Sequence, residues 1–155
     1  MSQTIRKVAI IGGNRIPFVR SNKEYSHASN QDMLTAALKG LVGRYDLQGQ
    51  QLGEVVAGAV IKHSRDFNLT REAVLDSGLS PQTPCYDVQQ ACGTSLEAAI
   101  LVANKIALGQ IEVGIAGGTD TTSDAPIGVS EGLRKIFLQV NRAKDLIGRI
   151  KPFAK

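Results

Sequence analysis

Short apolar runs, each closed by glycine or a turn residue, alternate along this chain with longer stretches whose apolar residues recur at helical spacing. Val8-Ala9-Ile10-Ile11 ends at Gly12-Gly13 and reads as a buried strand. Ser29 or Asn30 can cap a helix carrying Leu34, Ala37, Leu38, Leu41 and Val42, with Gly43 near its end. Val55 to Ile61, interrupted by Gly58, reads as a second strand. Asn68 can cap a helix through Arg71, Val74 and Leu75 that Gly78 and Pro81 stop. Cys85 to Val88 forms a third strand. The helix after it has Leu96, Ala99, Ile100, Ala103, Ile106 and Ala107 on one face and Gly109 just past its end. Val113 to Ala116 forms a fourth strand, ended by Gly117-Gly118. Apolar strands alternating with helices imply an α/β fold, a parallel sheet covered on both faces.

The 155 residues suit one domain, which at that size buries roughly 68–70 % of its unfolded surface. With 43 % hydrophobic and 21 % charged residues, disorder is excluded as the overall state. No apolar run approaches the roughly 20 residues that span a bilayer. No stretch of about 7–15 apolar residues follows the N-terminus, so no secretory signal is expected. Two cysteines make no disulfide framework, and a reducing, cytoplasmic setting is expected. Aromatic residues are only 5 % and Trp is absent, which argues against a stacking platform for nucleic acid.

The net charge of +4 hides an asymmetry. Met1 to Glu131 holds 11 basic and 13 acidic residues, whereas Gly132 to Lys155 holds 7 basic and 1 acidic. The change follows a Thr-, Ser-, Asp-, Pro- and Gly-rich loop, Thr119 to Val129, so residues 1–129 are expected to form the α/β core and 130–155 a separate basic segment. Leu133, Ile136, Phe137, Val140, Ala143, Ile147 and Ile150 fall close to one face of a single helix from Gly132 on, with most of the basic residues elsewhere. That helix can pack on a neighbouring domain, meet a membrane or partner subunit, or contact phosphates.

Cys92 is the residue best placed for chemistry. It sits between the third strand and the third helix, where the positive end of a helix dipole favours thiolate. The carboxyl ends of parallel strands are also where open α/β sheets place ligands. Position alone leaves open a small buried hydrophobe. Cys85, inside a strand, reads as structural. His63 reads as a surface residue and His27 as a solvated loop residue; Asp120 and Asp124 read as turn formers. Gly12-Gly13-Asn14-Arg15 lacks the spacing of a dinucleotide-binding loop.

Three separated segments resemble the N-terminal part of the thiolase family. Arg15-Ile16-Pro17-Phe18 is similar to the family's Arg-Thr-Pro-Phe. Gln90-Ala91-Cys92-Gly93-Thr94-Ser95-Leu96-Glu97-Ala98 resembles the acyl-cysteine segment, which in many thiolases reads Cys-x-Ser-Gly-Leu-x-Ala. Ala116-Gly117-Gly118-Thr119-Asp120 through Pro126 resembles the run Gly-Gly-Met-Glu-Ser-Met-Ser-x-x-Pro. Order and spacing agree over nearly the whole chain. The run from Ser123 to Ser130 and the basic segment look most like long-chain 3-ketoacyl-CoA thiolases that pair with a hydratase/dehydrogenase subunit.

The resemblance implies a thiolase-like N-terminal half-domain in α/β/α layers. The family's strand order is 3-2-4-5-1, so strands 1 to 4 are expected here and strand 5 beyond Lys155. It implies an acyltransferase in which Cys92 takes the acyl group of a 3-ketoacyl-CoA and passes it to coenzyme A, or runs the reverse Claisen condensation. The Cys92 backbone N–H would help hold the oxyanion. Coenzyme A thioesters would be substrates, with no covalently bound cofactor and no metal. A homodimer is implied, as are a possible hydratase/dehydrogenase partner and peripheral membrane contact through 132–155. The family's Gly-His-Pro histidine and its Cys-x-Gly cysteine belong to its C-terminal half, so this chain alone is expected not to turn over. A decarboxylating ketosynthase of the same superfamily, and a fragment that only binds partners or membrane, remain alternatives. The segments at Arg15 and Gly117 favour thiolase.

Overall fold

The computed structural model describes residues 5–154. The chain divides into two compact units, Met1–Ala125 and Pro126–Lys155. The first holds helices α1 (Asn30–Arg44), α2 (Leu69–Ser77) and α3 (Thr94–Ala107), and strands β1 (Glu54–Ala57), β2 (Cys85–Asp87) and β3 (Gly114–Ala116). The strands form one parallel sheet in the order β2-β1-β3, with Val55 opposite Cys85 on one side and Ile115 on the other. This is the 3-2-4 part of the expected family order.

The central strand β1 is buried along its whole length. Its side chains alternate across the sheet, as the period of two requires. Val55 and Ala57 join Leu34, Leu38, Val42, Leu69, Ala73 and Val74 in the core under α1 and α2. Val56 faces the other way and meets Ala98 and Val102 of α3. Helices therefore cover both faces, in α/β/α layers. At the amino end of β1, the buried Glu54 carboxylate takes a 2.5 Å hydrogen bond from Lys105, which the bond holds above the usual lysine range.

Caps set the helix starts. Ser29 and Asp32 form a reciprocal capping box on α1, with Asp32 N–H donating to Ser29 Oγ (3.1 Å) and Ser29 N–H to Asp32 Oδ2 (2.9 Å). The Ser29 hydroxyl, which donates to Asp32 Oδ2 (2.7 Å), and then the Ser29 N–H hold the Asp32 carboxyl below its ordinary value. Asn68 stands at the N-cap of α2 but makes no side-chain bond there. The Asp87 carboxylate at the end of β2 does that work instead, accepting from Leu69 N–H (3.0 Å) and Thr70 N–H (2.8 Å). The strand that leads toward Cys92 is thereby fastened to the N-terminus of a neighbouring helix.

Three expectations need correction. Val8 to Ile11 is not a strand, and Ile10 and Ile11 are 94 % and 80 % exposed. Arg6 N–H donates to the Ala107 carbonyl, and Asn14 Nδ2 to that of Ala37. A strand needs a ladder partner, and among the described residues no strand lies beyond β3 to supply one. The second strand ends at Ala57 rather than Ile61, because Asp120 captures the N–H groups of Val60 (3.0 Å) and Ile61 (2.9 Å). On α3 the face turned to the sheet is Thr94, Ala98 and Val102, while Leu96 and Ile100 are 68 % and 45 % exposed. That face has smaller side chains and lets α3 approach closely: a Cβ on Gly114 would stand 2.7 Å from Val102 Cγ1.

In the second unit the expected single helix is broken. Ser130 caps α4 (Glu131–Arg142) through the Leu133 N–H, and Ala143 turns the chain extended. Asp145 then accepts from Gly148 N–H (2.6 Å) and starts the short helix α5 (Leu146–Ile150). A 3-10 turn, Lys151–Ala154, follows. Phe137 of α4 meets Phe153 edge-on, ring centres 6.3 Å apart. No residue of α4 or α5 is buried. Among the described residues no helix is long and apolar enough to cross a membrane.

Candidate functional site

Because all three strands are parallel, their carboxyl ends share one side of the sheet, and the chain leaves β2 there to reach α3. Val88 N–H continues the ladder by donating to the Ala57 carbonyl (2.9 Å). The backbone then bends sharply. Ala91 has φ +44°, a left-handed conformation that costs a residue bearing a Cβ roughly 1–2 kcal/mol. The bend is closed by Gly93 N–H to the Gln90 carbonyl (2.9 Å) and Thr94 N–H to the Ala91 carbonyl (3.2 Å).

Cys92 follows the bend, exposed and two residues before the first residue of α3. The free N–H groups of a helix start favour an anion there. Glu97 is the acidic residue in that first turn and competes for the same positive potential. Cys85, also free, is half-buried on β2 with Arg71 Nη1 3.7 Å from its sulfur. It packs against the core under α1 and α2.

Glycines let the surrounding backbone close up beneath the bend. A Cβ on Gly58, just past β1, would fall 1.8 Å from the Val88 carbonyl oxygen and 3.0 Å from Thr94 Cγ2. One on Gly118, just past β3, would fall 2.5 Å from Ser95 Oγ. The ends of β1, β2 and β3 and the start of α3 therefore meet with no side chain between them at these two positions.

The loops after β1 and β3 are tied together by carboxylates. Asp120 accepts from Val60 and Ile61, as described above. Asp124 pairs with Arg65, and its carbonyl lies 2.9 Å and its Oδ1 3.3 Å from His63 Nε2. Both aspartates act across loops rather than as local turn formers. His63 is half-buried against Asp124 rather than the surface residue expected. His27 is exposed. Among the described residues no group of three or more His, Cys, Asp or Glu is placed to hold a metal.

Sequence reading located Cys92 but missed Ala91 and Thr94. An alanine carries no signal of a positive φ, and a threonine at a helix start reads as an ordinary first-turn residue. The Asp87 cap also went unread, since its partners lie 17 and 18 residues away in the chain.

Residues 8–150 match the family model of the thiolase N-terminal domain. The chain belongs to the thiolase family. It is 37 % identical over 145 residues to a 3-ketoacyl-CoA thiolase of Photorhabdus laumondii, covering 94 % of this chain and 33 % of that protein. It is 35 % identical over 151 residues to the mitochondrial trifunctional enzyme subunit beta of Rattus norvegicus, covering 97 % and 32 %. A crystal structure of the Bacillus anthracis acetyl-CoA acetyltransferase superposes with a TM-score of 0.77 at 25 % identity, over 83 % of this chain and 33 % of that one. These thiolases are acyltransferases, and the chain spans about a third of the length of the relatives it matches.

Proposed function

We propose that this chain is the N-terminal portion of a thiolase in which Cys92 is the acyl-accepting nucleophile. The observation that carries the reading is an exposed cysteine on a strained bend, at the N-terminus of a 14-residue helix and the carboxyl ends of parallel strands. The Cys92 thiolate attacks the 3-keto carbon of a 3-ketoacyl-CoA. The bond between C2 and C3 then breaks, C2 takes a proton, and acetyl-CoA leaves. The shortened acyl group stays on Cys92 as a thioester until the thiol of a second coenzyme A removes it. The amide N–H of Cys92 donates to the oxyanion of both steps, an interaction whose loss typically costs about 10²–10³ in rate. The protons are handled by residues outside this chain, so the chain alone does not turn over.

The test pairs this chain with a matched C-terminal thiolase half and quenches it during reaction with acyl-labelled 3-ketoacyl-CoA. The label is expected on the Cys92 peptide and nowhere in a Cys92→Ala chain. Label that persists in Cys92→Ala overturns the reading. A malonyl-thioester arm separates the alternative: condensation with loss of carbon dioxide would assign a decarboxylating ketosynthase.

The relatives named trifunctional enzyme subunit beta support a second element, that the full enzyme works beside a partner subunit in a multienzyme complex. That the partner is a hydratase/dehydrogenase and that the enzyme is a homodimer rest on the family resemblance alone. The second unit adds a surface for anionic lipid. Leu133, Phe137, Leu138, Ile147 and Ile150 are exposed beside Arg134, Lys135, Arg142 and Arg149. Each basic residue near an anionic membrane contributes about 1 kcal/mol, an attraction that salt screens. Sedimentation with phosphatidylserine vesicles is expected to carry the protein down at low salt and release it at high salt. Failure to bind at low salt removes the membrane from the proposal.

A further inference from the structure

We propose that Thr94 is the positioning residue of the Cys92 bend, its hydroxyl holding the backbone in the left-handed turn that presents the thiol to the start of α3. Its consequence for acyl transfer rests on the reading of Cys92 above; the geometry does not.

Ala91 is strained, and a strained residue persists only when its surroundings over-determine it. Thr94 supplies the side-chain part of that constraint. Its Oγ1 accepts from Gln90 N–H (2.9 Å) and donates to the Ala91 carbonyl (2.7 Å), gripping the bend on both sides of the strained residue. Among the described residues no other side chain hydrogen-bonds to the backbone of residues 90–92. Thr94 is itself 5 % exposed, so water competes poorly for its hydroxyl. Its other branch has a different task, since Cγ2 lies against the bare backbone of Gly58 at the end of β1. The two branches divide the residue's work: the methyl packs, and the hydroxyl holds the bend.

That division makes the two contributions separable. Thr94→Val keeps the shape and removes both hydrogen bonds. Thr94→Ser keeps the hydroxyl and removes the methyl. Without the hydroxyl, Ala91 relaxes toward negative φ and Cys92 swings away from the start of α3, so its thiol is no longer presented there.

The experiment measures iodoacetamide alkylation of the 155-residue chain as a function of pH, reading Cys92 and Cys85 peptides separately by mass spectrometry. In Thr94→Val alkylation of Cys92 is expected to slow roughly tenfold, because the displaced thiol is no longer presented to the reagent. In Thr94→Ser it should stay within about twofold of the parent at every pH, and in both variants Cys85 should keep its parent rate. An unchanged Cys92 rate in Thr94→Val overturns the proposal. So does an equal loss in both variants, or a rise at Cys85, since either assigns Thr94 to packing alone. The readout involves no acyl group, so a Cys92 that never carries label leaves this result standing, and an unchanged rate leaves acyl transfer standing.

Discussion

Gly58→Ala should destabilise the first unit by at least about 3 kcal/mol, seen as a large fall in the urea midpoint at unchanged slope. The new Cβ would stand 1.8 Å from the Val88 carbonyl oxygen, far inside contact distance. Overpacking typically costs about 1–3 kcal/mol when a side chain can give way. Here the obstacle is backbone on both sides. Val88 N–H donates to the Ala57 carbonyl and Thr119 N–H to that of Gly58, so separation breaks the ladder beside the Cys92 bend. Gly43→Ala is the matched control. Its Cβ meets nothing within 4 Å inside α1, and the change should stabilise by about 0.5–1 kcal/mol. If Gly58→Ala costs no more than an ordinary surface change, the close approach of β1 to the bend is wrong.

Cys92→Ala, in a complete enzyme containing this chain, should lower kcat for acetoacetyl-CoA thiolysis on the order of 10⁶, about 8 kcal/mol of barrier. The size follows from the role proposed for it. With the thiol gone there is no covalent intermediate, and coenzyme A would have to attack the ketone directly. General acid–base groups contribute about 10²–10⁴ each. Two of them lie outside this chain on the proposed reading, so the isolated chain should show no turnover even with Cys92 intact. Full activity in the alanine variant would take Cys92 out of the mechanism, and turnover by the isolated chain would overturn its need for the remaining residues.

What was legible in the sequence was local. The apolar runs at Val55, Cys85 and Val113 lie where the sheet forms. Gly78 and Gly109 stand at positive φ just past their helices, because such ends favour a residue without a Cβ. Ser29 caps α1 through a partner three residues away. The place of Cys92, at a strand-to-helix junction, was legible for the same reason, and the quoted segments carried the family.

Tertiary structure decided whatever depended on a distant partner. Val8 to Ile11 has the composition of a strand, but a strand exists only in a ladder, and nothing in its own residues states whether a neighbour is present. Helix α3 is apolar on more than one side, so periodicity could mark its helical repeat and not which face meets the sheet; the close approach of Val102 to Gly114 settled that. The single basic helix broke at Ala143, where Asp145 found the Gly148 N–H and began a new turn. Asp87 became the cap of α2, His63 went to Asp124, and Thr94 closed over Ala91. Periodicity and glycine report on a residue's own backbone, whereas a hydrogen-bond acceptor or a packing face belongs to two segments that only the fold brings together.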